Sequence, residues 1–280
     1  MFNFLLWIKG EKMIVVENEM IREMILRDKK RIEDRSFFDY REIKIEKGVA
    51  GNAEGSALVE IGKTKVLVGI KLEAGDPFPD TPGEGILVVN AEFVPFSYSE
   101  VLPGPPDENA IELARVVDRI IRESKAIDLK KLVIENTKKV WKIMIDILVL
   151  DNDGNLKDAA TLASVISILS AKFPSYKIEG DDVKINYEEK TEKKIQLERI
   201  PISVTLAKIS NEMLVDPDGA EENVADSILT VGIFEEEGKD FLCALQKSGS
   251  GGFTKEEIEK AIDIALEQGK KIKNLILKNI

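Results

Sequence analysis

Residues 141–164 read WKIMIDILVLDNDGNLKDAATLAS, and this stretch decides the fold. The apolar run 143–150 predicts a buried strand. It ends in an Asp-Gly turn at Asp153–Gly154, and a small-residue helix follows, led by Asp158, Ala159, Ala160 and Ala163. A strand, a turn and a helix N-terminus in that order make a natural anion site, because free backbone N–H groups point out of the first turn.

Working outward, residues 17–30 have helical spacing and end in a mostly basic cluster (Arg27, Asp28, Lys29, Lys30, Arg31), favourable against the helix dipole. Alternation through Ile43 and Ile45 predicts a strand over 41–49. Two more, 56–61 and 64–72, are joined by Gly62-Lys63, a hairpin signal. Residues 74–85, rich in Pro, Gly and Asp, are a loop. The run 86–95 is apolar enough for a central strand. After a second breaker at 103–106, a helix is predicted over 107–125, with Ala110, Leu113, Val117, Ile120 and Ile121 on one face. The helix opened at the Asp-Gly turn continues to about 172. Residues 173–199 read as a polar connector with a solvated charge run at 188–194.

Beyond it come strands at 202–209, 213–216, 227–235 and 241–246, then a glycine-rich turn at 248–252. Thr254 with Glu257 makes a capping box for a last helix, with a buried stripe of Ile258, Ile262, Ala265, Ile272 and Ile276. Strands adjacent in sequence imply mixed or antiparallel sheets. The fold class is therefore α/β (α+β), with two similar β-rich halves and packed helices. The expected segments are an N-terminal stretch and helix (1–33), a first half (34–172), the connector (173–199) and a second half (200–280).

The 280 residues are 44% hydrophobic and 32% charged, enough for a sizeable core and a solvated surface. There is no histidine, which removes Ser-His-Asp and Cys-His catalysis and every His-ligated metal site. Cys243, the single cysteine, sits in the apolar run 241–245 and reads as a structural thiol. Both features suit a reduced, cytoplasmic setting. The net charge of −11 argues against free-standing nucleic-acid binding, so any such contact needs a local basic patch or a basic partner. No stretch reaches the ~20 apolar residues of a membrane span. The opening run Phe2 to Ile8 reads either as a short packing segment or as the product of an early start codon, with Met13 or Met20 as the true start.

Two anchors carry a resemblance to the RNase PH family of phosphorolytic exoribonucleases. Residues 141–164 are similar to the family's phosphate loop, where active members have Asp-Gly-Gly-Thr-Arg and this chain has Asp153-Gly154-Asn155-Leu156-Lys157. The second anchor is the ordered set Arg31-x-x-Asp34-Arg35, Arg41, Gly55-Ser56-Ala57, Gly62-x-Thr64 and Val66-Leu67, similar to the family's first domain. The resemblance spans roughly residues 30–270. It is nearest the non-catalytic RNase PH-type subunits of archaeal exosomes. It implies an RNase PH-like fold in a hexameric ring of three heterodimers with a catalytic partner. RNA-binding cap subunits sit on one face, and single-stranded RNA threads the channel and is cut from its 3′ end by inorganic phosphate.

Three departures imply that this chain is not itself catalytic. Leu156 has no hydroxyl, and Lys157 is a point charge rather than a bidentate fork. Asp158 adds an anion beside the phosphate position. In the region matching the second domain's acids, 214–226, Asp226 can match one, and Glu221 or Glu222 would have to stand in for the other. The lack of histidine removes one alternative base. The rival readings are an exoribonuclease active by itself through Asp226, Lys157 and a glutamate, or a scaffold without RNA contact. The candidate RNA-binding residues are Arg115, Arg119 and Arg122, at i, i+4 and i+7 on the polar face of the 107–125 helix. The resemblance implies that they hold RNA phosphates, whereas the bland reading pairs them with Glu112, Asp118 or Glu123. No catalytic residue, metal or cofactor is expected. Residues 248–252 lack the Lys-Ser/Thr of a P-loop. Residues 151–155 are not a calcium loop, since the twelfth position is Leu162. The acidic run 216–222 reads as a solvated loop.

Overall fold

The computed structural model describes residues 18–97, 104–180 and 182–279. Residues 1–17, including the Phe2–Ile8 run, lie outside the described residues.

The first sheet has five strands: β1 (Ile43–Lys47), β2 (Gly55–Ile61), β3 (Thr64–Gly75), β4 (Ile86–Phe93) and β5 (Val140–Asp151), in the order β1-β2-β3-β5-β4. Only the β4–β5 pair is parallel. The centre is held by β3 and β5, each 12 residues long. In both, alternate side chains are buried (Val66, Val68, Ile70 and Leu72; Ile143, Ile145, Ile147 and Val149), and the residues between them are half-buried. The central position expected for 86–95 is corrected. β4 pairs with β5 alone and is an edge strand, and its Val88 is 36% exposed.

The second sheet runs β11-β10-β8-β9, all antiparallel, from β8 (Ile202–Ile209), β9 (Glu212–Val215), β10 (Ser227–Glu236) and β11 (Lys239–Ser248). Between the sheets lie helices α2 (Glu108–Glu123) and α3 (Leu156–Ser170). α3 packs on β2, β3 and β8, and α2 on β4, β11 and α3. Successive residues of β8 show the layering. Thr205 bonds Asp158 of α3, whereas Lys208 bonds Glu257 on the other face, at the start of α5 (Lys255–Lys278). The capping box of Thr254 and Glu257 is formed. The buried stripe of α5 is Ala261, Ala265, Gln268, Gly269, Ile272 and Ile276; Ile258 and Ile262 are only half-buried.

Two segments differ from expectation. The 173–199 connector contains a two-stranded antiparallel hairpin, β6 (Lys172–Glu179) with β7 (Asp182–Lys194). Trp141 holds it, with ring centroids 5.2 Å from Phe173 and 5.6 Å from Tyr176, both edge-on. A polar charge run hid the pairing because most of its side chains face water. At the N-terminus, helix α1 (residues 18–28) places Ile21 and Ile25 in a small separate core with Ile209, Leu214 and Val224. Its last turn, Met24–Asp28, is a π-turn that ends at Lys29 in the left-handed region.

α3 is small-residued for a reason of distance. A Cβ on Gly55 of β2 would lie 2.3 Å from the Ser167 carbonyl oxygen and 2.7 Å from the Ala171 backbone. Neither is a flexible side-chain end. Gly55→Ala should therefore push α3 off the sheet and lower the unfolding free energy by about 1–3 kcal/mol, which urea denaturation followed by circular dichroism would measure.

Candidate nucleic-acid interface

The turn after β5 is shaped by what packs on it. Gly154 has φ +78°, and a Cβ there would lie 2.5 Å from the Asp218 backbone. Asn155, also left-handed at φ +54°, stands at the N-cap of α3. Its Nδ2 donates to Asp158 Oδ2 (3.0 Å) and Asp216 Oδ1 (2.7 Å). The anion expected from Asp158 beside the turn is corrected. Asp158 points into the molecule, where it accepts from the Tyr40 hydroxyl (2.8 Å), the Thr205 N–H (2.9 Å) and the Thr205 hydroxyl (2.9 Å). Burial raises the Asp158 carboxyl above its usual range, and burial with the neighbouring Asp158 raises Tyr40.

Lys157 is also engaged, 2.8 Å from Glu112 of α2. One donor at the start of α3 is taken from within the chain, since the N–H of the N-cap residue Asn155 donates to Glu222 Oε1 at 2.8 Å. Burial pushes the Glu222 carboxyl up to about 7, against the opposing pull of that N–H, Lys157 and Arg41.

The solvated loop expected at 216–222 is overturned. Residues Gly219–Val224 form a short helix, α4, closed by a capping box between Asp218 and Glu221. Asp216 and Glu221 are fully buried, because the arginines of the second sequence anchor need them. Arg31, equally buried, donates from Nε to Glu221 Oε1 (2.7 Å), from Nη2 to Glu221 Oε2, and from Nη1 and Nη2 to the carbonyls of Val215 and Asp216 (2.8 Å each). Arg35 Nη1 reaches Asp216 Oδ2 at 3.0 Å. Arg41 donates to Asp216 from its backbone N–H, Nε and Nη2 (2.8, 2.9 and 2.8 Å), and from Nη1 to the Asp153 carbonyl (2.6 Å). Burial alone would raise the Asp216 carboxyl, but the hydrogen bonds and charge of Arg41 outweigh it and hold it low.

The remaining acids of 214–226 are similarly occupied. Glu221 is bound to Arg31. Asp226 accepts from Arg22 (3.0 Å) and from the Ser210 N–H (2.6 Å), and the Arg22 bond, with the Ser210 N–H, lowers its pKa. Among the described residues no three Asp, Glu, His or Cys side chains are grouped as metal ligands. Burial pushes the Cys243 thiol up to about 12, which keeps it protonated.

The three arginines of α2 separate into two kinds. α2 begins where Asp107 accepts the Ala110 N–H at 2.8 Å, and all three arginine side chains emerge on its exposed face. Arg122 is held: Nη2 and Nε donate to Asp118 at 2.6 and 3.1 Å, and Nη2 also reaches the Leu87 carbonyl at 3.0 Å. Arg115 and Arg119 make no hydrogen bond or ion pair among the described residues. Two of their nearest acids are engaged elsewhere, Glu112 by Lys157 and Asp118 by Arg122. The two open guanidiniums lie between two grooves that both of them line. Sequence reasoning did not find Gln246 of β11 on one of these grooves, because only tertiary packing brings it beside α2.

Comparison with known proteins matches two family models, described as the 3′ exoribonuclease family, domain 1 (residues 39–174) and domain 2 (residues 199–268). The chain is similar to the exosome complex component Rrp42 of Pyrococcus furiosus, at 48% identity over 90% of each chain. It is also similar to that of Methanothermobacter thermautotrophicus, at 42% over 87% of this chain and 88% of the other. Among solved structures it superposes with TM-score 0.82 and 38% identity on a chain of an Archaeoglobus fulgidus exosome with RNA bound to the active site, covering 94% of this chain and 98% of that one. A chain of an archaeal exosome core gives TM-score 0.80 at 37% identity, covering 95% and 98%.

Glu222 makes stability depend on pH with a definite sign. Its folded pKa of about 7 lies above the ordinary 4.5, so the folded state binds the proton more tightly. Stability is then fully present below the unfolded value and falls as pH rises through 7, by about 3 kcal/mol at most. Glu222→Gln keeps an acceptor for the Asn155 N–H and removes the charge. It should raise the melting temperature at pH 8 and leave it nearly unchanged at pH 4; equal shifts at both would contradict the assignment.

Proposed function

The chain belongs to the 3′ exoribonuclease, RNase PH-like family and carries both of its domains, and from that premise we propose that it is the non-catalytic, RNA-binding structural subunit of an archaeal exosome, a 3′-to-5′ phosphorolytic RNA-degrading complex. It works in the cytoplasm. It alternates with a catalytic RNase PH-like partner as three heterodimers in a hexameric ring, beneath RNA-binding cap subunits. It supports the partner's active site across the heterodimer interface. Residues 34–172 and 200–280 are its two RNase PH-like halves, joined through 173–199.

The observation that carries the non-catalytic reading is the bond from the Asn155 N–H to Glu222. The turn where active members bind phosphate already holds a carboxylate of its own chain. Lys157 neutralises Glu112, Asp158 bonds Tyr40 and Thr205, and Asp226 bonds Arg22. An inorganic phosphate brought to this turn would meet Glu222 rather than an arginine fork.

Arg115 and Arg119 carry the RNA-binding role, with Arg122 as the flanking third. Two exposed guanidiniums without partners among the described residues are what a phosphate backbone needs. The net charge of −11 is compatible with this, because charges beyond the ~8–10 Å Debye length are largely screened from a strand lying on α2. Contacts of this kind are independent of sequence and suit a strand that must slide.

The purified chain alone should release no nucleoside diphosphate from tailed RNA in the presence of phosphate, and activity should appear on mixing with a catalytic RNase PH-type partner. Phosphate-dependent degradation by the chain alone, abolished by Asp226→Ala, would reverse the assignment. In the reconstituted complex, Arg115→Ala with Arg119→Ala should weaken RNA binding. It should also flatten the log Kd against log salt slope by about 1.4, at ~0.7 per lost single-strand phosphate contact. An unchanged affinity and slope would leave a scaffold without RNA contact.

A further inference from the structure

α2 and the edge strand β11 leave a groove of about 370 Å³ between them, within the ~300–1,000 Å³ of small-molecule sites. Its lining brings cationic, apolar and amide groups together beside two carboxylates, Glu108 and Glu112, the latter paired with Lys157. Arg115 and Arg119 present open guanidiniums. Ile111, 50% exposed and one helical turn before Arg115, gives the groove an apolar surface, with the buried Val116 at its floor. Gln246 closes the groove from β11. Its register partner is Thr230, which bonds Thr205, so Gln246 shares the sheet face turned towards the helices. Its amide makes no hydrogen bond among the described residues.

Each candidate occupant uses a different part of this lining. An inorganic anion would use the guanidiniums and leave an apolar wall and an amide idle. A purely apolar segment would leave two cations and an amide desolvated without partners, which is costly. A nucleotide uses all three. The phosphate pairs with arginine, the base lies on the aliphatic wall beside a guanidinium plane, and the amide both donates to and accepts from the edge of a base. The charges also set a direction. Glu108 lines the end of the groove towards the start of α2, and a phosphate there would be repelled. The phosphate therefore belongs over Arg115 and Arg119, and the base towards Ile111 and Gln246.

We infer that the groove between α2 and β11 holds one nucleotide of an RNA strand, with Ile111 and Gln246 contacting its base. This rests on the reading of Arg115 and Arg119 as phosphate ligands and adds a base-contacting site beside them. Phosphate contacts alone let a strand slip freely. A base seat next to them adds a grip that does not depend on salt.

The test uses two neutral substitutions, Ile111→Ser and Gln246→Ala, in the complex reconstituted with a catalytic partner. Affinity for single-stranded RNA is measured across a salt series, with an abasic oligomer of equal length as control. The pair should weaken RNA binding about tenfold, in line with the ~1–3 kcal/mol of a base contact, leave the salt slope unchanged, and leave abasic binding unaltered. Unchanged RNA affinity would overturn the inference. So would an equal loss for the abasic strand. A complex that no longer assembles on size exclusion would overturn it differently, by giving the groove to the partner subunit. The arginine pair separates the two readings. If Arg115→Ala with Arg119→Ala flattens the slope while the neutral pair is silent, only the base seat fails. If both are silent, the phosphate reading fails as well.

Discussion

The carboxylate of Asp216, buried and bonded by Arg41 and Arg35, is the joint on which the rest of the molecule depends. With Glu221 and Arg31 it forms a cluster of three arginines and two carboxylates, closed to water at its centre. Removing one partner of such a pair leaves an uncompensated buried charge and costs ~3–5 kcal/mol. The cluster ties together three chain segments that share no strand pairing: the stretch from Arg31 to Arg41, the Asp153–Gly154 turn, and the loop into α4. The turn accepts from Arg41 at the Asp153 carbonyl and donates to Asp216 through Asn155, so it cannot move without breaking bonds to both. The Arg-x-x-Asp-Arg opening is thus a structural device, and its charge is not available to a ligand.

That joint governs how the turn behaves. A strand, a left-handed Gly-Asn pair and a helix N-terminus remain, as the physics of an anion site requires. The α4 loop, fixed by Arg31 and Arg35, then brings Glu222 onto the N–H of the N-cap residue Asn155. That N–H is satisfied inside the molecule, and burial holds the Glu222 carboxyl at a pKa near neutrality. The turn is thereby a packing element that joins β5, α3 and the α4 loop.

Exposed guanidiniums lie instead on α2. Lys157, from the turn, draws away Glu112, and Asp118 is bound by Arg122. Both exchanges leave Arg115 and Arg119 without a hydrogen-bond or ion-pair partner among the described residues. One ion pair at the turn therefore helps to keep a guanidinium open a helix away. On a chain of net charge −11 this gives two exposed guanidiniums whose reach is set by screening, so they act on what lies in contact with them.

Local patterns in the sequence decided the elements. Period-two runs placed β8 over 202–209, apolar spacing placed the buried face of α2, and Thr254 with Glu257 marked the start of α5, because each signal lies within a window of a few residues. The i, i+4 pairing of Arg122 with Asp118 was legible for the same reason. The tertiary structure alone decided partner choice. Arg41 meets Asp216 across 175 residues and Arg31 meets Glu221 across 190. The run 216–222 therefore looked like an ordinary solvated acidic loop, and Asp158 looked like an anion beside the turn. The edge position of β4 and the pairing of the β6–β7 hairpin were equally hidden, since which strand borders which depends on how the whole chain closes. Sequence carries the preferences of each segment for helix, strand or turn. Which charge is neutralised, and which is left open for a ligand, is settled only when distant segments compete for the same few buried donors and acceptors.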